Sequence, residues 1–168
     1  MATNSNKLTR NASLLPPNVS AFLKRRMLES LGIFLSIISI VLAGSLLTYN
    51  PLDPSLNAAT GSMPSNFFGT IGAWLSDLLL QSIGLAACML PLTLLAWGWR
   101  ISTHRGIRFL WVRMIFFPIT ILAAAISLAG PETNNGWPLN SGFGGVFGDI
   151  ILQKLELFVS TFHALHTD

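Results

Sequence analysis

Three long stretches of the chain contain no charged side chain and are apolar through most of their length. They cover residues 30–52, 78–99 and 114–131, and the first carries the run LGIFLSIISIVLAGSLL. A helix that crosses about 30 Å of hydrocarbon needs about 20 mostly apolar residues, with its backbone hydrogen bonds closed internally. The pattern therefore predicts three transmembrane helices, over about 30–49, 74–99 and 113–130.

The segment after the third stretch has a different pattern. Residues 132–148 are rich in Gly, Asn and Pro, which is typical of a loop outside the membrane. The apolar pattern that follows is interrupted by Asp149, Lys154 and Glu156. We predict an interfacial helix over about 145–162, leading into a truncated fourth span. The predicted fold class is an all-α, multi-pass transmembrane domain.

An internal repeat supports this division of the chain. The sequence GTIGAWLSDLLLQ at 69–81 resembles GVFGDIILQ at 145–153, and each copy follows a Gly- and Pro-containing loop. The first copy leads into a full apolar crossing, whereas the equivalent stretch of the second copy would begin near His166. The repeat thus predicts that these 168 residues are a fragment or a truncated reading frame that ends just before a fourth span.

Composition agrees with a membrane protein. Of the 168 residues, 51% are hydrophobic and only 10% are charged, and the mean hydropathy is +0.59. These charges are too few to coat the surface of a water-soluble globule of this size. The single cysteine, Cys88, excludes an intramolecular disulfide and has no neighbouring ligands of zinc-site spacing.

The positions of the basic residues predict the orientation. Nine of the ten Lys and Arg residues lie before the first span or between the second and third. The predicted topology determinants are Lys24, Arg25, Arg26, Arg100, Arg105, Arg108 and Arg113. The positive-inside rule places both segments in the cytoplasm, with residues 1–22 as a flexible cytoplasmic tail. This distribution explains the net charge of +3 without nucleic acid as a partner.

Few residues suggest chemistry. Asp77 is the only acid embedded in the predicted spans, and an intramembrane carboxylate is a candidate for proton or ion transfer, although its place near the external loop also suits an interfacial side chain. Pro91 is expected to kink the second span. The three histidines have no catalytic or metal-site spacing, and the chain has no P-loop or GxSxG motif. We predict no enzyme activity, cofactor or metal.

Three motifs in order carry a family resemblance. They are YNPLDPS at 49–55, GAWLSDLLL at 72–80 and LPLTLLAWGWR at 90–100. The chain from Leu28 to Leu155 resembles the amino-terminal four-transmembrane domain of the FtsK/SpoIIIE DNA translocases. The matched signature positions, which the resemblance implies are structural, are Pro51, Asp53, Pro54, Gly72, Trp74, Asp77, Pro91, Trp97, Gly98 and Arg100.

The resemblance implies a membrane-anchoring and assembly module of a septal DNA translocase that couples cell division to chromosome segregation. The expected location is the bacterial inner membrane, and the expected partners are the bilayer, further copies and other division proteins. Motor, ATP and DNA contacts are not expected, because the motor domain is absent from these 168 residues. The alternative is a small transporter or channel in which Asp77 and Pro91 are the working parts.

Overall fold

The computed structural model describes residues 16–55, 63–105, 107, 109–131, 139 and 141–167. This part of the chain contains five α-helices and no strand, which confirms the all-α class. The helices are α1 (Pro17–Leu47), α2 (Gly69–Ile83), α3 (Met89–Ser102), α4 (Leu110–Ala129) and α5 (Gly145–Thr167). Three helical segments are long and apolar enough to cross a membrane, namely Asn18–Leu47, Gly69–Ser102 and Leu110–Ala129.

Helix α1 begins earlier than the charge pattern predicts. Pro17 occupies its first turn, where a missing backbone N–H removes no intrahelical hydrogen bond. Residues 17–22, which we assigned to the tail, are therefore helical, and Lys24, Arg25 and Arg26 lie within α1. Residues 1–15 lie outside the described part of the chain.

Helices α1 and α3 pack closely along one face. A Cβ on Gly98 would lie 2.7 Å from the carbonyl oxygen of Gly32, so only glycine permits this backbone approach. Farther along, the Ser39 hydroxyl donates a hydrogen bond of 2.6 Å to the Pro91 carbonyl. These contacts define an antiparallel register: seven residues forward along α1, from Gly32 to Ser39, correspond to seven residues backward along α3, from Gly98 to Pro91.

The second apolar segment is broken, which corrects the prediction of one helix over 74–99. A 3-10 turn, Gly84–Cys88, separates α2 from α3, and Gly84 has φ of 59°, which favours glycine. Pro91 does not kink a continuous helix, because it lies in the first turn of α3. The break receives a hydrogen bond partner from elsewhere in the chain, since the Leu85 amide donates to the Phe143 carbonyl at 2.9 Å.

The α1–α3 register shows where this break lies. Gly32 is opposite Gly98 and Ser39 is opposite Pro91, so continuing the same register places Gly84 level with Leu46, near the end of α1. Helix α2 thus packs beside the last turns of α1 and the chain that follows, and does not extend along the length of α1. We call the end of the bundle where α1 ends and α2 packs the loop end.

The second half of the chain repeats the arrangement of the first. Gly69 and Gly145, which begin α2 and α5, have φ of 62° and 67°. Three residues later, a Cβ on Gly148 would lie 2.5 Å from the carbonyl oxygen of Ala125 in α4, and a Cβ on Gly72 would be closer still to the side chain of Asn66, beside the end of α1. The two GxxG helices also contact each other, as expected for equivalent units of a repeat.

Candidate functional site

A polar network closes the loop end of the bundle around Asp53. This carboxylate is 5% exposed and accepts three hydrogen bonds, from the Ser65 amide (2.8 Å), the Ser65 hydroxyl (2.8 Å) and the Asn66 amide (2.9 Å). Asp53 lies just after α1 and the two donors lie just before α2. The carboxylate therefore joins the two ends of the loop between α1 and α2.

Asn66 connects the same network to the end of α1. Its side-chain nitrogen Nδ2 donates to the carbonyl oxygens of Ser45 (2.8 Å) and Thr48 (3.2 Å), and its Oδ1 accepts from the Phe68 backbone amide (3.1 Å). The last carbonyls of a helix have no intrahelical donor, so this side chain supplies partners that the backbone lacks. Gly72 is required here because a Cβ at that position would overlap Asn66 Oδ1.

The electrostatics of the network favour an ionised Asp53. Burial alone raises the pKa of a carboxyl group, but the hydrogen bonds from Ser65 and Asn66 outweigh it and lower the pKa of Asp53 below its ordinary value. A charged acceptor makes stronger hydrogen bonds than a neutral one. The ionised carboxylate is therefore the form that stabilises this loop end.

Asp77 lies nearby in α2 but belongs to a separate pair of contacts. It is 7% exposed, and its Oδ1 accepts hydrogen bonds from the Tyr49 hydroxyl (3.1 Å) and from the side-chain nitrogen Nε2 of Gln81 (2.8 Å). Tyr49 follows α1, so this contact is a second tie between α1 and α2. The Asp77 carboxylate is thus buried and satisfied by two hydrogen-bond donors of the protein, and it does not occupy an exposed position at its helix surface.

A cavity of about 520 Å³ opens between α1 and α3 below this pair. Its lining is mostly apolar and includes Ala43, Leu85, Cys88 and Leu92. Asp77, the acid on which the transporter hypothesis depends, is not among the lining residues. Asp77 thus contacts a lining residue, Tyr49, but does not line the cavity itself.

The opposite end of the bundle carries an ion cluster, and we call it the basic end. Glu29 in α1 contacts Arg25 Nε at 3.3 Å and Arg26 Nη1 at 2.6 Å. His104, in the α3–α4 loop, has its Nε2 2.8 Å from Glu29 Oε1 and 3.1 Å from Arg25 Nε. The cluster shows that the two basic segments predicted to share one side do lie at the same end.

The other predicted topology determinants lie near the residues of this cluster in the sequence. Lys24 is exposed on α1, Arg100 is half-buried in the last turn of α3, and Arg105 is exposed in the loop. Arg113 is exposed in the first turn of α4. Arg108 lies outside the described residues.

The other signature positions divide between packing and surface. Pro91 and Gly98 are buried in the α1–α3 contact. Trp97 lies 5.6 Å from the Phe117 ring, centroid to centroid, and so joins α3 to α4. Trp74 is 44% exposed on α2. Pro51 is exposed and Pro54 half-buried in the turn that contains Asp53.

Sequence reasoning did not identify Asn66, Glu29 or His104. Asn66 precedes the GxxG motif, where a side-chain cap for the preceding helix end could have been sought. Glu29 is the only acid between residues 1 and 52, which marks it among the basic residues. His104 gives no such signal, because its partner is 75 residues away in the chain.

The comparison with known families identifies this arrangement. The family described as the 4TM region of DNA translocase FtsK/SpoIIIE matches residues 24–166. The chain belongs to this FtsK/SpoIIIE family. The match includes every FtsK signature position named above, and it covers the membrane region without the motor domain, so no catalytic domain is evident.

Three curated FtsK relatives support the assignment. The DNA translocase FtsK of Azospirillum brasilense is 38% identical over 150 residues, which cover 88% of this chain and 24% of the relative. The protein from Bradyrhizobium diazoefficiens is 38% identical over 83% of this chain and 17% of its own. That from Mesorhizobium japonicum is 39% identical over 80% and 15%.

The chain thus spans about a quarter or less of the length of these relatives. No solved structure gives a significant match. Among the described residues, no group of three or more His, Cys, Asp or Glu side chains is arranged to hold a metal ion. The FtsK-like region is a multi-pass membrane protein, with the Asp53 network at one end of the bundle and the Glu29 cluster at the other.

Proposed function

We propose that this chain is the membrane-anchoring and assembly module of a septal DNA translocase, linking cell division to chromosome segregation. The observation that carries the proposal is the family match over 24–166, combined with a bundle whose two basic segments are tied together by Glu29 and His104. An anchor for a motor must keep its attachment points on one side of the membrane. The ion cluster supports that arrangement.

The basic end is assigned to the cytoplasm. All Lys and Arg residues of the chain except Lys154 lie before α1, within its first turns or between the middle of α3 and the first turn of α4. Short loops rich in Lys and Arg stay in the cytoplasm during insertion. The amino terminus is then cytoplasmic, and the Asp53 network faces the opposite side.

The second crossing is assigned to Gly84–Ser102 rather than to the whole of Gly69–Ser102. The register with α1 places Gly84 level with Leu46, and the 19 residues that follow match the length needed for one crossing. Helix α2 then lies in the outer interface. Its exposed Trp74 is of the residue type that is enriched at that depth.

Assembly and septal location follow from the family rather than from a particular contact. The relatives are named DNA translocases, and their remaining three quarters or more must carry activity that this region lacks. A transporter or channel function is not favoured, since Asp77 is hydrogen-bonded outside the apolar cavity. Partners are the bilayer, further copies of the chain and other division proteins, with no direct contact to nucleic acid.

Two experiments test the proposal. Alkaline phosphatase and green fluorescent protein fused at Gly61 and Arg105 should report an external and a cytoplasmic position, respectively. A cytoplasmic Gly61 reporter would contradict the orientation. In live cells, a fluorescent fusion of the full-length translocase should concentrate at the division septum and should lose the membrane when residues 24–166 are removed; a deletion that still reached the membrane would refute anchoring by this region.

A further inference from the structure

One face of α1 at the basic end forms a groove that is charged at its start and mostly apolar along the rest. The groove has a volume of about 680 Å³, and its described lining residues all belong to α1. Lys24 and Arg26 lie at its charged start, and the apolar part includes Met27, Leu31 and Phe34. These three apolar side chains are 67%, 47% and 58% exposed, so the described part of the chain leaves them largely uncovered.

The length of this groove matches one leaflet of a bilayer. From Lys24 to Leu46, which lies level with the break at Gly84, α1 rises about 33 Å at about 1.5 Å per residue, slightly more than the hydrocarbon core of about 30 Å. When α1 spans the membrane, Lys24 therefore lies at the depth of the lipid headgroups. Phe34 is ten residues farther along the helix, about 15 Å deeper, which is near the bilayer midplane.

The apolar part of the groove has the shape that an acyl chain requires. Met27, Leu31 and Phe34 are four and three residues apart, a spacing that places them in line along one helix face. The contact with α3 uses other positions of α1, Gly32 and Ser39. A further transmembrane helix packed on this face would contact α1 through both leaflets, whereas the groove ends at half depth. An acyl chain that starts at the headgroups ends at that depth.

The charges at the start of the groove favour an anionic headgroup. Lys24, Arg25 and Arg26 are three cations beside one carboxylate, Glu29, which contacts the two arginines. The Lys24 side chain makes no ion pair or hydrogen bond within the described part of the chain, so its positive charge is not balanced there. Arg26 is held in place by Glu29 at 2.6 Å and lies 5.3 Å from the Phe22 ring centroid. A zwitterionic headgroup would bring a cation of its own against these cations, whereas an anionic headgroup would not.

We propose that this groove is a binding site for an anionic phospholipid, with the phosphate between Lys24 and Arg26 and one acyl chain along the apolar residues from Met27 to Phe34. The site requires only that α1 spans the membrane. Its assignment to the cytoplasmic leaflet rests on the proposed function, because the orientation of the basic end is part of that proposal. A site of this kind makes the membrane anchor selective for regions of bilayer that are rich in anionic lipid.

Lipid titration tests the headgroup contact. The full chain in mild detergent is titrated with phosphatidylglycerol or with phosphatidylcholine of the same acyl chains, and bound lipid is measured by native mass spectrometry. The wild type should bind phosphatidylglycerol about tenfold or more tightly than phosphatidylcholine. Lys24→Gln should weaken phosphatidylglycerol binding about fivefold and leave phosphatidylcholine binding unchanged, whereas Lys24→Arg should retain both. The matched control is Arg113→Gln, which removes an exposed cation in the first turn of α4, outside the groove, and should have an effect below about twofold.

A second pair of variants tests the acyl-chain contact. Phe34→Ala should weaken the binding of both lipids several-fold, because the contact that it removes does not depend on the headgroup. Ile40→Ala, at a position of α1 that is 61% exposed but outside the groove, should weaken neither. Equal affinity for the two lipids, equal losses in Lys24→Gln and Arg113→Gln, or equal effects of Phe34→Ala and Ile40→Ala would overturn the site. The Gly61 and Arg105 reporters test the orientation separately, since a reversed orientation would contradict the proposed function and leave lipid binding in detergent unchanged.

Discussion

Replacing Asp53 by alanine should open the loop end of the bundle while leaving the spans inserted. The substitution removes the acceptor of three hydrogen bonds from Ser65 and Asn66. Ser65 is exposed, so water can replace its two bonds at small cost. Asn66 is buried, and its amide would lose its acceptor without access to water.

The size of the effect follows from this difference. A buried donor left without a partner costs about 1–3 kcal/mol, and each of the two part-buried Ser65 bonds adds about 0.5–1.5 kcal/mol, the net value of a typical hydrogen bond. The opening free energy of the loop end should thus fall by at least about 2 kcal/mol, which corresponds to roughly 30-fold in the opening equilibrium. Asp53→Asn retains one acceptor oxygen and should show a smaller effect.

Amide hydrogen exchange measures this opening directly. When closing is fast, the exchange rate of a protected amide is proportional to the population of its open state. Peptides containing the Asn66 amide should exchange roughly 30-fold faster in Asp53→Ala. Peptides from the middle of α1 should be unchanged, and Leu52→Ala, an exposed side chain in the same turn, is the matched control. Exchange at Asn66 within a factor of about three of the wild type would refute the assigned role of Asp53.

Three further predictions concern the same framework. Because the folded-state pKa of Asp53 is lowered, the stabilisation from its carboxylate is complete above the unfolded-state value near 3.8 and is lost as the pH falls through the lowered pKa. Protection of the Asn66 backbone amide, corrected for the intrinsic exchange rate, should therefore decline only at strongly acidic pH. A loss of this protection near neutral pH would be inconsistent with the assigned role of Asp53. Gly98→Ala places a methyl group 2.7 Å from a backbone oxygen and should lower the unfolding free energy in detergent by about 1–3 kcal/mol, whereas Gly130→Ala meets only a contact at 3.9 Å and should be neutral; equal effects would argue against close α1–α3 packing. Asp77→Asn retains an acceptor for Tyr49 and should preserve thermal stability and septal localisation, whereas Asp77→Leu should destabilise the bundle; solute flux lost in Asp77→Asn with the fold intact would favour transport instead.

Local sequence predicted the helices better than their continuity. Helix α4 covers Leu110–Ala129 and α5 begins at Gly145, and both depend on signals within the segment itself, a long apolar run and a GxxG start. A kink in a continuous second helix was expected at Pro91, yet the segment breaks at Gly84. Proline in a first helical turn is harmless, whereas the Gly84 conformation is stabilised by the Phe143 carbonyl, which is remote in the sequence.

The polar contacts show the same division. Asp53 and Asp77 were named from sequence motifs, but nothing in those motifs specifies Ser65, Asn66 or Tyr49 as their donors. Such partners are 12 to 28 residues away and are brought into reach only when α1 and α2 pack at the loop end. The chemistry of an isolated acid therefore did not reveal whether it would be solvated, catalytic or structural.

The sequence by itself determined that the chain is helical, that it crosses a membrane and that its basic segments lie at the same end of the bundle. Those properties depend on the transfer of apolar runs into lipid and on the distribution of charge, and both are sums over local residues. Only the tertiary structure decided where the second segment breaks and which donors satisfy the acids. Those properties depend on which distant residues meet, because a hydrogen bond or a backbone contact forms only within a few ångströms.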